Sequence, residues 1–159
     1  MTTPQFGDPD AGFDYPDRPA AFVVVERGGK IACVRVAWRR GGPKLDLPGG
    51  GLDPGETPAE AAVRECGEEA GLRVAVTGEA FVAADHYFVN DEGACNNTRG
   101  LFFTARLEAD APELKIEDDH TLVWLDPLEA LCALDRDSHA WAVAAWLRRG
   151  GFASPSLTG

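Results

Sequence analysis

The sequence predicts an α/β domain in which a mixed sheet is sandwiched between helices. Strand-like apolar runs lie on both sides of one central helix, that helix carries capping signals at both ends, and a second helical stretch closes the chain. A run of strands flanking a single helix favours layers over a bundle. The 159 residues suit one domain, with 1–18 as a flexible lead-in, 19–151 as the folded unit and 152–159 as a tail.

Residues 1–18 are rich in glycine, proline and aspartate, which disfavours regular structure. Phe6, Phe13 and Tyr15 are too apolar for a pure linker and could pack on the domain or on a second copy of the chain, which leaves a homodimer open. Ala20–Arg27 is apolar and β-branched, Gly28-Gly29 marks a hairpin turn, and Lys30–Ala37 is the return strand. Arg39–Lys44 is a basic loop leading to Pro48-Gly49-Gly50-Gly51. Thr57-Pro58-Ala59-Glu60 is a capping box with proline at the first helical position, and Gly71 is suited to end the helix. Arg73–Ala84 is a strand with a break at Gly78, Asp85–Asn97 a polar, aromatic-bearing hairpin or loop, and Thr98–Leu107 another strand. An acidic loop, 109–119, precedes a short strand at His120–Leu125. Pro127–Leu134 is a short helix, and Ser138–Arg149 a longer one with Asp137 or Ser138 as N-cap.

Composition narrows the function classes. A net charge of −11 repels nucleic-acid backbones, so a duplex is not an expected partner. It does not exclude a small polyphosphate, because bound divalent ions reverse the local sign. No apolar run is long enough to span a membrane. Cys33, Cys66, Cys95 and Cys132 are scattered without a CxxC pair, as expected of reduced thiols in a cytoplasmic protein.

The chemistry is concentrated between Gly50 and Leu72, GGLDPGETPAEAAVRECGEEAGL. At about 100° per residue, Ala59, Val63, Cys66 and Ala70 form an apolar stripe and Glu65, Glu68 and Glu69 gather on the opposite side. Like charges at helical spacing destabilise a helix by a few tenths of a kcal/mol per pair, and Gly67 costs about 1 kcal/mol more. Such local conflict is expected at a functional site, and clustered carboxylates suit Mg²⁺ or Mn²⁺. Arg64 lies within helical reach of Glu60 and Glu68, with Glu56 on the incoming loop, which suits a tether that holds the loop and orients a ligand carboxylate.

The segment resembles the Nudix box, Gly-x5-Glu-x7-Arg-Glu-U-x-Glu-Glu-x-Gly-U, where U is apolar. Gly50, Glu56, Arg64, Glu65, Glu68, Glu69 and Gly71 fill the fixed positions, with Cys66 and Leu72 at the two U positions. The resemblance implies the Nudix α/β/α sandwich with its loop-helix-loop, and covers residues 20–148 in layout but 49–72 in specific motif. It implies metal ligation by Glu65, Glu68 and Glu69 with the Gly49 carbonyl, and a further acidic ligand from the loop before Trp124, where Asp118 and Asp119 are the candidates. It also implies hydrolysis of a pyrophosphate bond in a nucleoside diphosphate linked to another moiety: a nucleoside triphosphate, ADP-ribose or another nucleotide sugar, or a dinucleoside polyphosphate. Glu68, Glu69 or a loop aspartate would be the general base. Arg35 stands where relatives often carry a phosphate-facing arginine, Gly50 and Gly51 allow close approach of a ligand, and His86, Tyr87 and Phe88 are candidates for a base or sugar pocket. The rival is a non-catalytic Nudix domain that senses a nucleotide metabolite, against which the intact box argues. A calcium-binding loop is excluded by spacing, since no Asp-x-Asp-x-Asp-Gly run occurs.

Overall fold

A computed structural model of the chain describes residues 2–151. The expected tail, 152–159, lies outside the described residues. The elements in order are β1 (Gln5–Phe6), β2 (Asp17–Arg27), β3 (Lys30–Val36), β4 (Lys44–Asp46), β5 (Gly49–Gly51), α1 (Pro58–Ala70), β6 (Leu72–Val89), β7 (Cys95–Asp110), β8 (His120–Leu125), α2 (Pro127–Ala133) and α3 (Asp137–Arg148). A 3₁₀ turn, Pro112–Leu114, interrupts the loop between β7 and β8.

β2 organises the molecule. Its residues 17–25 run parallel to β7, residues 20–22 pair with β5, and its last two residues pair with β3 across the Gly28-Gly29 turn. Both turn glycines have positive φ, 59° and 80°, which matches the twist of a tight hairpin. β3 then carries β4 on one side and β8 on the other, while β6 pairs antiparallel with β7 and parallel with β1. The curled sheet is therefore mixed.

The apolar run of β2 is buried on both faces, so it reads as continuous rather than alternating. Ala20, Phe22 and Val24 face one core with Ala142, Val143 and Trp146 of α3 and Ala130 of α2. Ala21, Val23 and Val25 face a second core with Ala61, Ala62, Cys66 and Ala70 of α1. One helix on one face and two on the other make the α/β/α layering that the sequence predicts.

Several boundaries differ from the sequence expectations. The hairpin expected at 85–97 is shorter: β6 runs on to Val89, with a register shift between Thr77 and Val82 where Gly78 takes φ +73°. Arg136, not Asp137 or Ser138, is the N-cap of α3, and it makes no side-chain cap bond. Ser138 is instead buried within the first turn. Within the expected lead-in, Gln5 and Phe6 pair with Asp85 and His86, and Gln5 and Asn97 exchange side-chain hydrogen bonds at 3.0 and 3.2 Å. All four cysteines are free thiols. No described helix is long and apolar enough to cross a membrane.

Candidate active site

α1 begins and ends as its residues dictate. Thr57 accepts a hydrogen bond from Glu60 N–H at 3.2 Å, and Gly71 closes the helix in the left-handed conformation. Its buried face is rotated from the expected stripe. Ala61, Ala62, Cys66 and Ala70 are buried, Ala59 and Val63 only partly, and Glu69 sits on the buried side rather than opposite it. The cause is β5, which covers this side of the helix with glycine and leaves room for a carboxylate. Gly67 lets Leu114 pack against the helix, since a Cβ there would come within 3.3 Å of Leu114 Cδ1.

The glycines of β5 are steric requirements. A Cβ on Gly49, at φ +150°, would collide with the Ala21 carbonyl and Phe22. On Gly50 it would lie 2.8 Å from the Glu65 carboxyl carbon. The backbone thus approaches the α1 carboxylates closely, and Gly49 N–H donates to Glu69 Oε1 at 2.9 Å.

Arg64 ties the approach loop to the helix. Nε and Nη2 donate to the two Glu56 oxygens at 2.8 and 2.9 Å, Nη2 to the Gly51 carbonyl at 3.0 Å, and Nη1 to Glu65 and Glu68 at 3.0 and 3.1 Å. Hydrogen bonding to Arg64 holds the Glu56 carboxyl down at about 2, and Glu56 in return raises the guanidinium. Glu65 shifts the other way, pushed up by burial and then by the charge of Glu69, against the pull of Arg64.

Glu69 is held twice. Its Oε2 lies 2.8 Å from His120 Nε2, whose Nδ1 lies 2.8 Å from Asp119 Oδ1. Both ring nitrogens face carboxylate oxygens, so both must donate, and we place the proton on the imidazole. Burial alone would lower His120, but hydrogen bonds to Glu69 and Asp119 raise it to about 9. Burial pushes Glu69 up while His120 and Gly49 oppose it. The loop carrying this pair is docked on α1, because Ile116 and Glu117 N–H both bond the Glu68 carbonyl, one of the carbonyls left without a helical partner.

These groups border a cleft of about 370 Å³ lined at one end by Gly49, Gly50, Glu65, Glu69, Glu117 and His120, with Arg18 among its remaining walls. Its other end is aromatic. Trp38 meets Phe88 edge-on at 5.8 Å, and the Arg136 guanidinium lies 3.8 Å from the Phe88 ring centre. Trp38, Asp46, Phe88 and Arg136 also line an adjoining compartment of about 250 Å³ that includes His86. Asp91 supports the Trp38 side by accepting N–H bonds from Arg39 and Arg40 at 2.8 and 3.1 Å. A larger cavity, about 750 Å³ between β6 and α3, contains none of these carboxylates and is remote from the chemistry.

The expected site residues divide accordingly. Gly49, Gly50, Glu65 and Glu69 line the cleft; Gly51 and Glu68 sit behind it, bonded to Arg64. His86 reaches the aromatic compartment, whereas Tyr87 alternates to the other side and meets Tyr15 at 5.4 Å. Arg35 is exposed between buried Val34 and Val36 and is not among the lining residues, while Val36 is. Arg18, which the sequence did not single out, lies against Gly51 in its place. Asp119 is exposed at the rim and bonded to His120; Asp118 does not line the cleft, and Glu117 does. Nothing in the run Glu117-Asp118-Asp119 marks the glutamate as the inward one.

Ligand atoms of Glu117, Asp119 and His120 lie within 4.8 Å of one another. Both His120 nitrogens are taken up by Glu69 and Asp119, however, which leaves Glu117 beside Glu65 and Glu69 in the cleft. Oxygen donors of this kind fit a hard divalent cation, and the burial and carboxylate repulsion that lift Glu65 are what such a cation would offset. The glycine cradle at Gly50 would be filled by any Cβ.

The chain belongs to the NUDIX domain family, which it matches over residues 16–147. A Bacillus subtilis (strain 168) protein named as a candidate 8-oxo-dGTP diphosphatase is 45% identical over 60 residues, a match spanning 37% of this chain and 38% of that protein. Among solved structures, a MutT protein from Methanosarcina mazei Go1 superposes with TM-score 0.68 at 18% identity, over 87% of this chain and 99% of the other. An ADP-ribose pyrophosphatase from Streptococcus suis superposes with TM-score 0.58 at 19% identity, over 84% and 91%. At these identities the structural likenesses speak to the fold.

Proposed function

We propose that the chain is a divalent-metal-dependent pyrophosphohydrolase acting on a nucleoside diphosphate linked to another moiety, with a nucleoside triphosphate as the first substrate to test. The carrying observation is that the acidic end of the cleft opens directly into an aromatic compartment, so that a phosphate chain and a base can lie end to end. The relative named as a candidate 8-oxo-dGTP diphosphatase supports a triphosphate, and the S. suis neighbour keeps ADP-ribose on the panel. The complete set of carboxylates favours catalysis over a non-catalytic sensing domain.

Glu65, Glu68 and Glu69 would hold Mg²⁺ or Mn²⁺ with the Gly49 carbonyl. The bound cation would neutralise charge developing on the phosphates and acidify the attacking water. Arg64 keeps Glu65 and Glu68 together, and Arg18 orients a phosphate. Trp38 and Phe88 hold the base beside His86, whose burial lowers its pKa and leaves it neutral near pH 7. Glu117, which lines the acidic end of the cleft, takes the proton from water. Gly50 and Gly51 allow the phosphates to approach the backbone.

The test is release of phosphate or pyrophosphate from nucleoside triphosphates, ADP-ribose, nucleotide sugars and dinucleoside polyphosphates. Turnover should vanish with EDTA and return with Mg²⁺ or Mn²⁺. Undiminished turnover by demetallated protein, or no turnover of any compound with metal, overturns the proposal.

A further inference from the structure

The chain from Asp119 through His120 to Glu69 crosses from the start of β8 to the C-terminal half of α1. Each contact is 2.8 Å, and the far oxygen of Glu69 is fixed by Gly49 N–H at 2.9 Å. The side chains of His120 and Glu69 are 15% and 9% exposed, so solvent competes weakly for these bonds. The backbone on both sides is also held: Ala37 N–H bonds the Asp119 carbonyl at 2.9 Å, and His120 pairs with Val36 in the sheet. We propose that Asp119 and His120 form a strut that sets the orientation of Glu69, with Asp119 acting through His120 and touching neither metal nor substrate. Imidazole suits the task because its two nitrogens flank one carbon of a rigid ring and their N–H bonds diverge at a fixed angle, so fixing one aims the other.

Each carboxylate oxygen has two lone-pair directions, and the bonds from Gly49 and His120 use one on each. Glu69 therefore stays fixed while keeping acceptor capacity on both oxygens. Asp119, 56% exposed with an oxygen committed to His120, is the outer anchor of the strut. The inference rests on the reading of Glu69 as a metal ligand only for its consequence, not for the strut itself.

The experiment uses the full chain and three readouts: Mn²⁺ affinity by electron paramagnetic resonance, steady-state kinetics, and the His120 Nε2–H resonance by nitrogen-15 NMR. His120→Ala should loosen Mn²⁺ and lower kcat, each by about 10- to 100-fold, with KM nearly unchanged. His120→Gln, which can still present one N–H to Glu69, should recover most of both. Asp119→Ala should act in the same direction more weakly, and Asp119→Asn, which keeps the acceptor for Nδ1–H, should recover most of that loss. In a Glu69→Gln background, His120→Ala should add little to the loss of Mn²⁺ affinity. The Nε2–H resonance should exchange slowly in the parent protein and be lost in Glu69→Ala. If Asp119→Asn weakens Mn²⁺ as much as Asp119→Ala, Asp119 is a ligand and the strut is overturned. If Nε2–H exchanges fast, or ignores Glu69→Ala, it is also overturned. Failure of the parent protein to bind Mn²⁺ would overturn the metal reading, and the NMR arm would still decide the strut.

Discussion

At the scale of single residues, Arg64 shows why side-chain shape matters as well as charge. One guanidinium makes five hydrogen bonds to Glu56, Gly51, Glu65 and Glu68, and the two to Glu56 are a parallel fork. Lysine has the charge but three donors on one nitrogen, so it cannot hold the fork and the two helix carboxylates together. Arg64→Lys should lower stability by about 1–2 kcal/mol, at the modest end for charged hydrogen bonds because a quarter of the side chain meets solvent. It should also lower kcat at least about 10-fold, since Glu65 and Glu68 lose their common partner. Urea melts and kinetics check both; a variant unchanged in each would reduce Arg64 to a surface ion pair. The tether was legible in the spacing of Glu56 and Glu68 from position 64, but Glu60, the other expected neighbour, bonds Thr57 instead, and Glu65 takes its place. Glu117 was not legible, because three consecutive acidic residues give no sign of which one turns inward. The direction of Arg35 was not legible, because residues 31–34 before it are buried on both faces of β3 and alternation alone does not say which face residue 35 takes.

At the scale of elements, α1 was legible almost to the residue because its ends are set locally, by Thr57, Pro58 and Gly71. β5 was not, since three glycines have no side chains to reveal a strand period and their pairing depends on distant Ala20–Phe22. The rotation of α1 escaped for the same reason: what covers Glu69 is a glycine strand. α3 poses a different case. His139 is fully buried against Phe22 and Phe102, and its Nδ1 accepts the Leu47 N–H at 3.1 Å, tying α3 to the segment before β5. Burial, with Arg136 and His86 nearby, holds its pKa well below the usual value, so the folded protein keeps it neutral. The unfolded chain takes up a proton below about pH 6.5 that the folded chain refuses. This contribution is therefore present above about 6.5 and is lost as pH falls, by about 1.4 kcal/mol per pH unit. His139→Asn keeps an acceptor for Leu47 and should remove that part of the slope between pH 5 and 6.5. His86, lowered in the same direction, remains in both proteins, so the difference in slope reports His139. Equal slopes in urea melts of the two proteins would show that His139 is protonated in the fold.

At the scale of the whole molecule, the sheet separates two cores, and the cleft draws on both sides of it. Glu65 and Glu69 come from α1 on one face, while Arg136, just before α3, comes from the other, and the glycine strand pairs with β2 between them. The chain also carries a net charge of −11, so any salt that screens repulsion can stabilise it. A stabilising effect of Mg²⁺ is for that reason weak evidence of a site unless screening is separated from binding. Screening by monovalent salt rises gradually with ionic strength and should be nearly the same in variants that differ by one charge. Binding to the folded state instead follows RT ln(1 + [L]/Kd), about 2.7 kcal/mol at a hundredfold excess over Kd, and depends on the ligands. At constant ionic strength set with NaCl, Mg²⁺ should therefore raise the melting temperature of the parent protein. The increment should shrink strongly in Glu65→Gln and Glu69→Gln but persist in Glu113→Gln, an exposed charge that pairs with Arg73 and does not line the cleft. Equal Mg²⁺ increments in all four proteins would mean that the ion acts on the charge of the whole surface, and that the carboxylates of α1 do not form its site.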